Sequence, residues 1–215
     1  MAIYQLRSSD KTFPSPENAD YDGLLAYGGD LSAERLLQAY NQGIFPWYSS
    51  NEPILWWSPN PRMVLFPGEV KVSKSMRKVL RDATLTVTYN TAFTEVILNC
   101  RRMKRTGQSG TWITDEMLEA YIELHEKGFA QSVEVWQDDE LVGGLYGVDL
   151  EDKKVFCGES MFAKVSNASK IALISLSRKL EKKGYHLIDC QVHTNHLQSM
   201  GAREIPRSEF LNYLS

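Results

Sequence analysis

The sequence is poor in cysteine and histidine, with 3 and 4 among 215 residues. Cys100, Cys157 and Cys190 are odd in number and far apart. That excludes a disulfide framework and predicts reduced, buried thiols. No stretch holds about 18 consecutive apolar residues, so no membrane-spanning helix and no membrane partner are expected. The opening MAIYQLRSSDKTFPSP lacks a basic run followed by an apolar one. No signal peptide is therefore expected, and the expected compartment is the cytoplasm. Internal repeats and low-complexity tracts are missing as well. With 43% apolar and 24% charged residues, the composition excludes disorder, collagen and a coiled-coil rod.

A dominant charge sign is the last absence. Lys and Arg number 24 against 27 Asp and Glu, a net charge of −3. That average argues against a polyanionic partner, but the distribution argues for one. Residues 71–105 carry nine basic side chains against Asp82 and Glu95, a local +7 that leaves −10 for the rest. Within it, Arg77, Lys78 and Arg81 recur at helical spacing. A basic island in an acidic chain suits phosphate binding, and a solvated helix face with a charged loop is the plain alternative.

What is present divides the chain. The first 62 residues are rich in Pro, Gly and aromatics and predict one helix, over 32–42. Asp30 and Ser32 are candidate N-caps, Leu36, Leu37 and Tyr40 form its apolar stripe, and Gly43 ends it. GIFPWYSSNEPILWWSPNPR then packs three Trp and four Pro into twenty residues. It predicts a rigid aromatic loop region with no regular element. From residue 63 onward, strand and helix patterns alternate. TLTVTY (84–89) predicts a strand, and Ala92 to Met103 shows helical spacing. A helix begins after Thr114 and runs to Gly128. SVEVWQ, LVGGLYGV and VFCGES form a three-strand meander. A helix capped by Ser166 or Asn167 and the strand HLIDCQV (186–192) follow, then two short helices. The fold expected is α+β. A small N-terminal domain (1–62) precedes a C-terminal mixed-sheet domain (63–215) like the N-acetyltransferases, that is, GNAT-like.

Two strand ends hold unusual polar residues: Gly158-Glu159-Ser160, and Asp189 with Gln191. Strand alternation places Asp189 and Gln191 on one face and Cys190 on the other. An Asp inside an apolar strand is costly to bury unless it is paired or used, so a structural and a functional role both stand. Cys190, His193 and His196 are spaced by three but lack a fourth ligand, so no metal is expected. Cys157 and Cys190 have no neighbouring base to make a thiolate. A CoA-dependent acyltransferase would need a Gly-rich phosphate cradle before its helix. SMFAKVSNASK contains no glycine. A different acyl donor, with a polyphosphate carrier, fits the basic island better.

Read in order, FPSP (13–16), GLLAYGGDLS (23–32), GIFPW (43–47), ILWWSP (54–59), GTWIT (110–114), DELVGGLYGV (139–148), FCGESMF (156–162), NASK (167–170), LIDCQV (187–192) and GAREIPR (201–207) span almost the whole chain. They resemble the leucyl/phenylalanyl-tRNA–protein transferase family. The resemblance implies a bacterial cytosolic enzyme of the N-degron pathway that uses no metal and no cofactor. It implies transfer of Leu, Phe and, less readily, Met from aminoacyl-tRNA to proteins beginning with Lys or Arg. It implies Asp189 and Gln191 as the catalytic pair. Glu159 is expected either to pair with the acceptor's cationic side chain or to hold the terminal adenosine. Leu145, Phe156, Gly158, Leu173, Leu176 and Ile188 are expected to line an apolar acyl pocket, with plain core packing as the alternative. Trp47 and Trp112 would stack on adenine or simply pack. Arg77, Lys78 and Arg81 would follow the tRNA backbone. The chain departs from the family in its basic loop around 101–108 and in ending at LNYLS, where some members continue. Two other functions compete with this one, a CoA-dependent N-acyltransferase and a non-catalytic tRNA-binding module.

Overall fold

The computed structural model describes residues 3–82, 84–103 and 111–215. Lys104 and Arg105 of the basic island and Gly110 of GTWIT lie outside the described residues. Among the described residues, eleven strands run in chain order: β1 Tyr4–Leu6, β2 Leu24–Gly28, β3 Phe45–Pro46, β4 Leu55–Trp57, β5 Arg62–Leu65, β6 Thr86–Tyr89, β7 Ala130–Gln137, β8 Glu140–Leu150, β9 Val155–Ala163, β10 Leu187–Gln191 and β11 Arg203–Ile205. Seven helices accompany them: α1 Ala33–Asn41, α2 Lys74–Asp82, α3 Phe93–Arg102, α4 Asp115–Glu126, α5 Ala168–Lys182, α6 Asn195–Ser199 and α7 Arg207–Asn212.

The strands form two sheets. The smaller runs β1-β2-β4-β3 and the larger β11-β5-β10-β9-β8-β7-β6. The larger sheet is mixed, because β9 and β10 are parallel while its other pairings are antiparallel. The expectation of an irregular aromatic region before residue 62 is corrected here. Phe45-Pro46 and Leu55–Trp57 pair as β3 and β4, and β2 pairs with β4 on its other side. Strands of two to five residues are too short to register as a period in the sequence. β5 and β11 were missed for the same reason.

Helix signals were clearer. Ser32 caps α1 by accepting from the Arg35 amide, and Gly43 leaves the helix at φ +73°. Asp30 is not the cap; it accepts from the Ser32 amide and from Lys11. Thr114 caps α4, with Asp115 and Glu116 at its positive end. Asn167 precedes α5 at φ +70° and makes no side-chain cap.

Two apolar layers sandwich the large sheet. One joins α3 and α4 to the small sheet and α1, through Val96, Ile97, Tyr121, Leu124, Trp56 and Tyr40. The other packs α5 on the opposite face, through Ile171, Leu173, Ile174 and Leu176 against Leu145, Phe156 and Ile188. Burying 34 of the described residues in the first layer and 20 in the second supplies the dominant stabilising term.

Candidate active site

The β9–β10 ladder ends at the pair Cys157–Asp189. Beyond it, both strands carry irregularities. On β9 the register against β8 slips between Tyr146 and Gly147, leaving Glu159 as the extra residue of a β-bulge. On β10 the register against β5 slips between Asp189 and Gln191, and Gln191 adopts φ +64°. A cavity of about 520 Å³ opens where the two strands part.

Its wall contains all eight residues expected to bind substrate. Leu145, Phe156, Leu173, Leu176 and Ile188 form an apolar floor, Gly158 sits at the parting of the strands, and Trp47 and Trp112 stand on the wall. Trp47 is partly exposed and packs tilted against Trp57, ring centres 5.8 Å apart. Glu159 and Gln191 supply polar groups, and Phe45, Met161, Cys190, Val192, His193 and His196 complete much of the lining. Residues from the small sheet, β8, β9, α5, β10 and α6 therefore meet at one place.

Glu159 is held from three sides. Tyr40 donates to its Oε1 at 2.8 Å, Tyr121 to its Oε2 at 3.0 Å, and the Gln191 amide Nε2 to Oε1 at 2.8 Å. The Tyr40 and Tyr121 hydroxyls also lie within hydrogen-bond distance of each other. Burial pushes the Glu159 carboxyl up to about 7, against the pull of these three donors and with a smaller push from the Asp189 charge. Burial and the Glu159 charge hold both tyrosine hydroxyls well above their ordinary range, so they stay protonated donors. Tyr40 was expected only as part of an apolar stripe, and nothing in the sequence marked Tyr121. The missing signal was tertiary, because Tyr40, Tyr121 and Glu159 lie on three separate elements.

Asp189 and Gln191 depart from the expected shared face. Asp189 is fully buried and does not line the cavity, whereas Cys190 and Gln191 both do. The reason is local: the register slip and the left-handed Gln191 break the two-residue alternation. Asp189 is gripped by Arg62, through Nε to Oδ1 at 2.8 Å and Nη2 to Oδ2 at 2.7 Å. It also accepts the Gln191 backbone amide at 2.9 Å. The costly buried Asp is thus paired. Glu159, expected at a strand end, instead lies in mid-strand at the bulge.

Burial pushes the Cys157 and Cys190 thiols well up, so neither is a thiolate nucleophile. Among the described residues, no group of three or more His, Cys, Asp or Glu could hold a metal ion. Among them also, no helix is long and apolar enough to cross a membrane. Arg77, Lys78 and Arg81 are exposed on α2, away from the cavity wall. Arg101 of the island donates to Asp115 at 2.6 Å, so part of that charge is spent internally.

Comparison with known proteins agrees with the motif series. Residues 64–215 match the family model described as leucyl/phenylalanyl-tRNA protein transferase. Residues 29–60 match that of the same proteins' N-terminal domain. A leucyl/phenylalanyl-tRNA–protein transferase of Flavobacterium johnsoniae is 60% identical over 95% of this chain and 96% of its own. Those of Christiangramia forsetii and Pectobacterium carotovorum are each 56% identical, over 99% and 100% of this chain and 100% and 91% of theirs. Two solved structures that the chain resembles are more remote. An aminoglycoside acetyltransferase from an uncultured soil metagenomic sample reaches TM-score 0.39 at 15% identity, over 53% of this chain and 80% of its own. A GCN5-related N-acetyltransferase from Kribbella flavida has TM-score 0.39 at 11% identity, over 80% and 59%.

The protein is therefore an enzyme of the transferase class. The chain belongs to the leucyl/phenylalanyl-tRNA protein transferase family, which its matches cover almost from end to end.

Proposed function

We propose that this enzyme moves leucyl, phenylalanyl and, less readily, methionyl groups from aminoacyl-tRNA to the α-amino group of proteins beginning with Lys or Arg. Such a product would be marked for N-degron degradation in the cytoplasm. The observation that carries the proposal is the meeting of an apolar floor with the Glu159–Gln191 pair in one cavity of about 520 Å³. A long side chain without branching at Cβ, or an aromatic one, fits that floor, and the polar pair would lie where its ester carbonyl is presented. Selection by shape alone gains about 1–3 kcal/mol per methylene, which suits an enzyme that accepts three related side chains.

The reaction is ester aminolysis. The acceptor nitrogen bonds to the acyl carbon, the bond from that carbon to the terminal ribose oxygen breaks, and the amine's proton ends on that oxygen. Because the ester is already activated, positioning supplies much of the acceleration. Gln191 donates through Nε2 to Glu159, which orients its amide with Oε1 as the acceptor for the attacking amine. Glu159 anchors that amide and presents negative charge to a cationic acceptor. Asp189 acts through the Gln191 backbone rather than on substrate, since it does not line the cavity. Trp47 and Trp112 offer faces on which the terminal adenine stacks. The exposed Arg77, Lys78 and Arg81 follow the acceptor-stem phosphates, a contact independent of sequence and hence tolerant of several tRNAs.

The test is direct. Leucyl-tRNA is supplied with peptides that differ only in residue one, Arg, Lys or Ala. Leucyl-peptide from Arg and Lys but not Ala is expected. Equal transfer to all three would overturn the acceptor assignment, and no transfer to any would overturn the activity.

A further inference from the structure

Arg62 opens β5 and is about 1% exposed, yet it belongs to none of the groups expected to touch substrate. Its guanidinium spends its donors on a narrow set of partners. Nε and Nη2 form a two-pronged bond to Asp189, and Nη1 donates to the Gly43 carbonyl at 3.1 Å. The Phe45 ring lies 4.9 Å from its centre and the Phe210 ring 4.6 Å. A cation this buried is tolerated only when paired so completely.

Two of these partners lead to the cavity. Asp189 Oδ1 accepts the Gln191 backbone amide, and Phe45 is part of the cavity wall. Gln191 holds φ +64°, a backbone state that costs a non-glycine residue about 1–3 kcal/mol and persists only when its surroundings enforce it. The enforcing contact within β10 is the bond to Asp189 Oδ1, the same oxygen that Arg62 Nε fixes.

We propose that Arg62 is a positioning residue of the transfer reaction: through Asp189 and Phe45 it sets the placement of the Gln191 amide and of the aromatic wall beside the acyl ester. The proposal rests on the reading of the cavity given above. Without the guanidinium, Asp189 loses two of the three bonds on its carboxylate and keeps only that from the Gln191 amide. Gln191 can then relax toward ordinary strand geometry and swing its amide away from Glu159. The Gly43 contact ties the same clamp to the segment between α1 and β3, so the small sheet contributes to the site it flanks.

Two variants test this beside the wild type. Arg62→Lys keeps the charge but loses the two-pronged grip and the flat ring contacts. The double variant Arg62→Met with Asp189→Leu replaces the pair by apolar side chains, which often preserves stability. Each is measured for melting temperature, for leucyl transfer to an Arg-peptide, and for hydrogen exchange of the Gln191 backbone amide. In whichever variant melts near the wild-type temperature, kcat is expected to fall about 10²-fold while KM for aminoacyl-tRNA changes little. Gln191 exchange is expected to quicken about tenfold or more. A folded variant with wild-type kcat, with a loss confined to KM, or with unchanged Gln191 exchange would overturn the proposal. An inactive wild type would instead defeat the transferase reading, and the exchange measurement would still decide whether Arg62 holds Gln191.

Discussion

Tyr40 and Glu159 are joined by a 2.8 Å hydrogen bond across 119 residues of sequence, from the first helix to the bulge of β9. That bond, with those from Tyr121 and Gln191, pulls the carboxyl of Glu159 down while burial pushes it up, leaving it near 7. Removing one donor removes part of the downward pull. In Tyr40→Phe the Glu159 titration should therefore move to higher pH, and the alkaline rise in transfer rate with it. Rate–pH profiles for the two proteins check this; an unmoved profile would detach Glu159 from the rate.

The same group sets a pH slope in stability. An unperturbed Glu carboxyl titrates at 4.5, and the folded one at about 7. Between those values the folded protein keeps a proton that the unfolded chain has lost. Stability from this group is therefore complete below about 4.5, erodes as pH rises to about 7, and is flat beyond. Glu159→Gln lacks the slope. Urea midpoints at pH 5 and pH 7.5 should show the wild type losing on the order of 1–3 kcal/mol relative to the variant.

Asp189→Ala should destabilise the fold by about 3–5 kcal/mol, because it strands the Arg62 guanidinium in a site closed to water. Denaturant unfolding at neutral pH measures it. A loss under about 1 kcal/mol would mean that water or another group reaches Arg62.

Added bulk on the cavity floor should change selectivity. Leu173→Phe projects a ring into open volume and should reduce phenylalanyl transfer more than leucyl transfer, by roughly 10–100-fold in relative kcat/KM. Competition between the two charged tRNAs reports the ratio directly. An unchanged ratio would remove Leu173 from the acyl pocket.

Neutralising Arg77, Lys78 and Arg81 to Gln should weaken tRNA binding without touching kcat. If each contacts one phosphate, the slope of log affinity against log salt should fall by about 2–3. A slope that does not change would return α2 to the role of a solvated helix.

The elements with a clear period were legible in the sequence. Ser32, Thr114 and the apolar spacing of α3, α4 and α5 announced their helices, and the meander β7–β9 announced itself by short polar turns. Strands of two to four residues, β3 to β5 and β11, were not legible, because their partners rather than their own pattern define them. The site divided in the same way. Of the cavity floor, Phe156 and Ile188 lie in the motifs FCGESMF and LIDCQV and Leu145 in DELVGGLYGV, while Leu173 and Leu176 lie in no motif. The orienting groups were not legible: Arg62 reaches Asp189 across 127 residues, and Tyr121 reaches Glu159 across 38. Alternation misled at Gln191, where one left-handed residue turns Cys190 and Gln191 to the same cavity and leaves Asp189 behind it.

The central claim is that Gln191, held by Glu159 and Asp189, orients the attacking amine. Single-turnover transfer from leucyl-tRNA to an Arg-peptide, compared between wild type and Gln191→Ala at saturating peptide, tests it most directly. Rapid transfer by the wild type and a rate about 10²-fold or more lower in the variant, with tRNA binding retained, are expected. Equal single-turnover rates in the two proteins would contradict it.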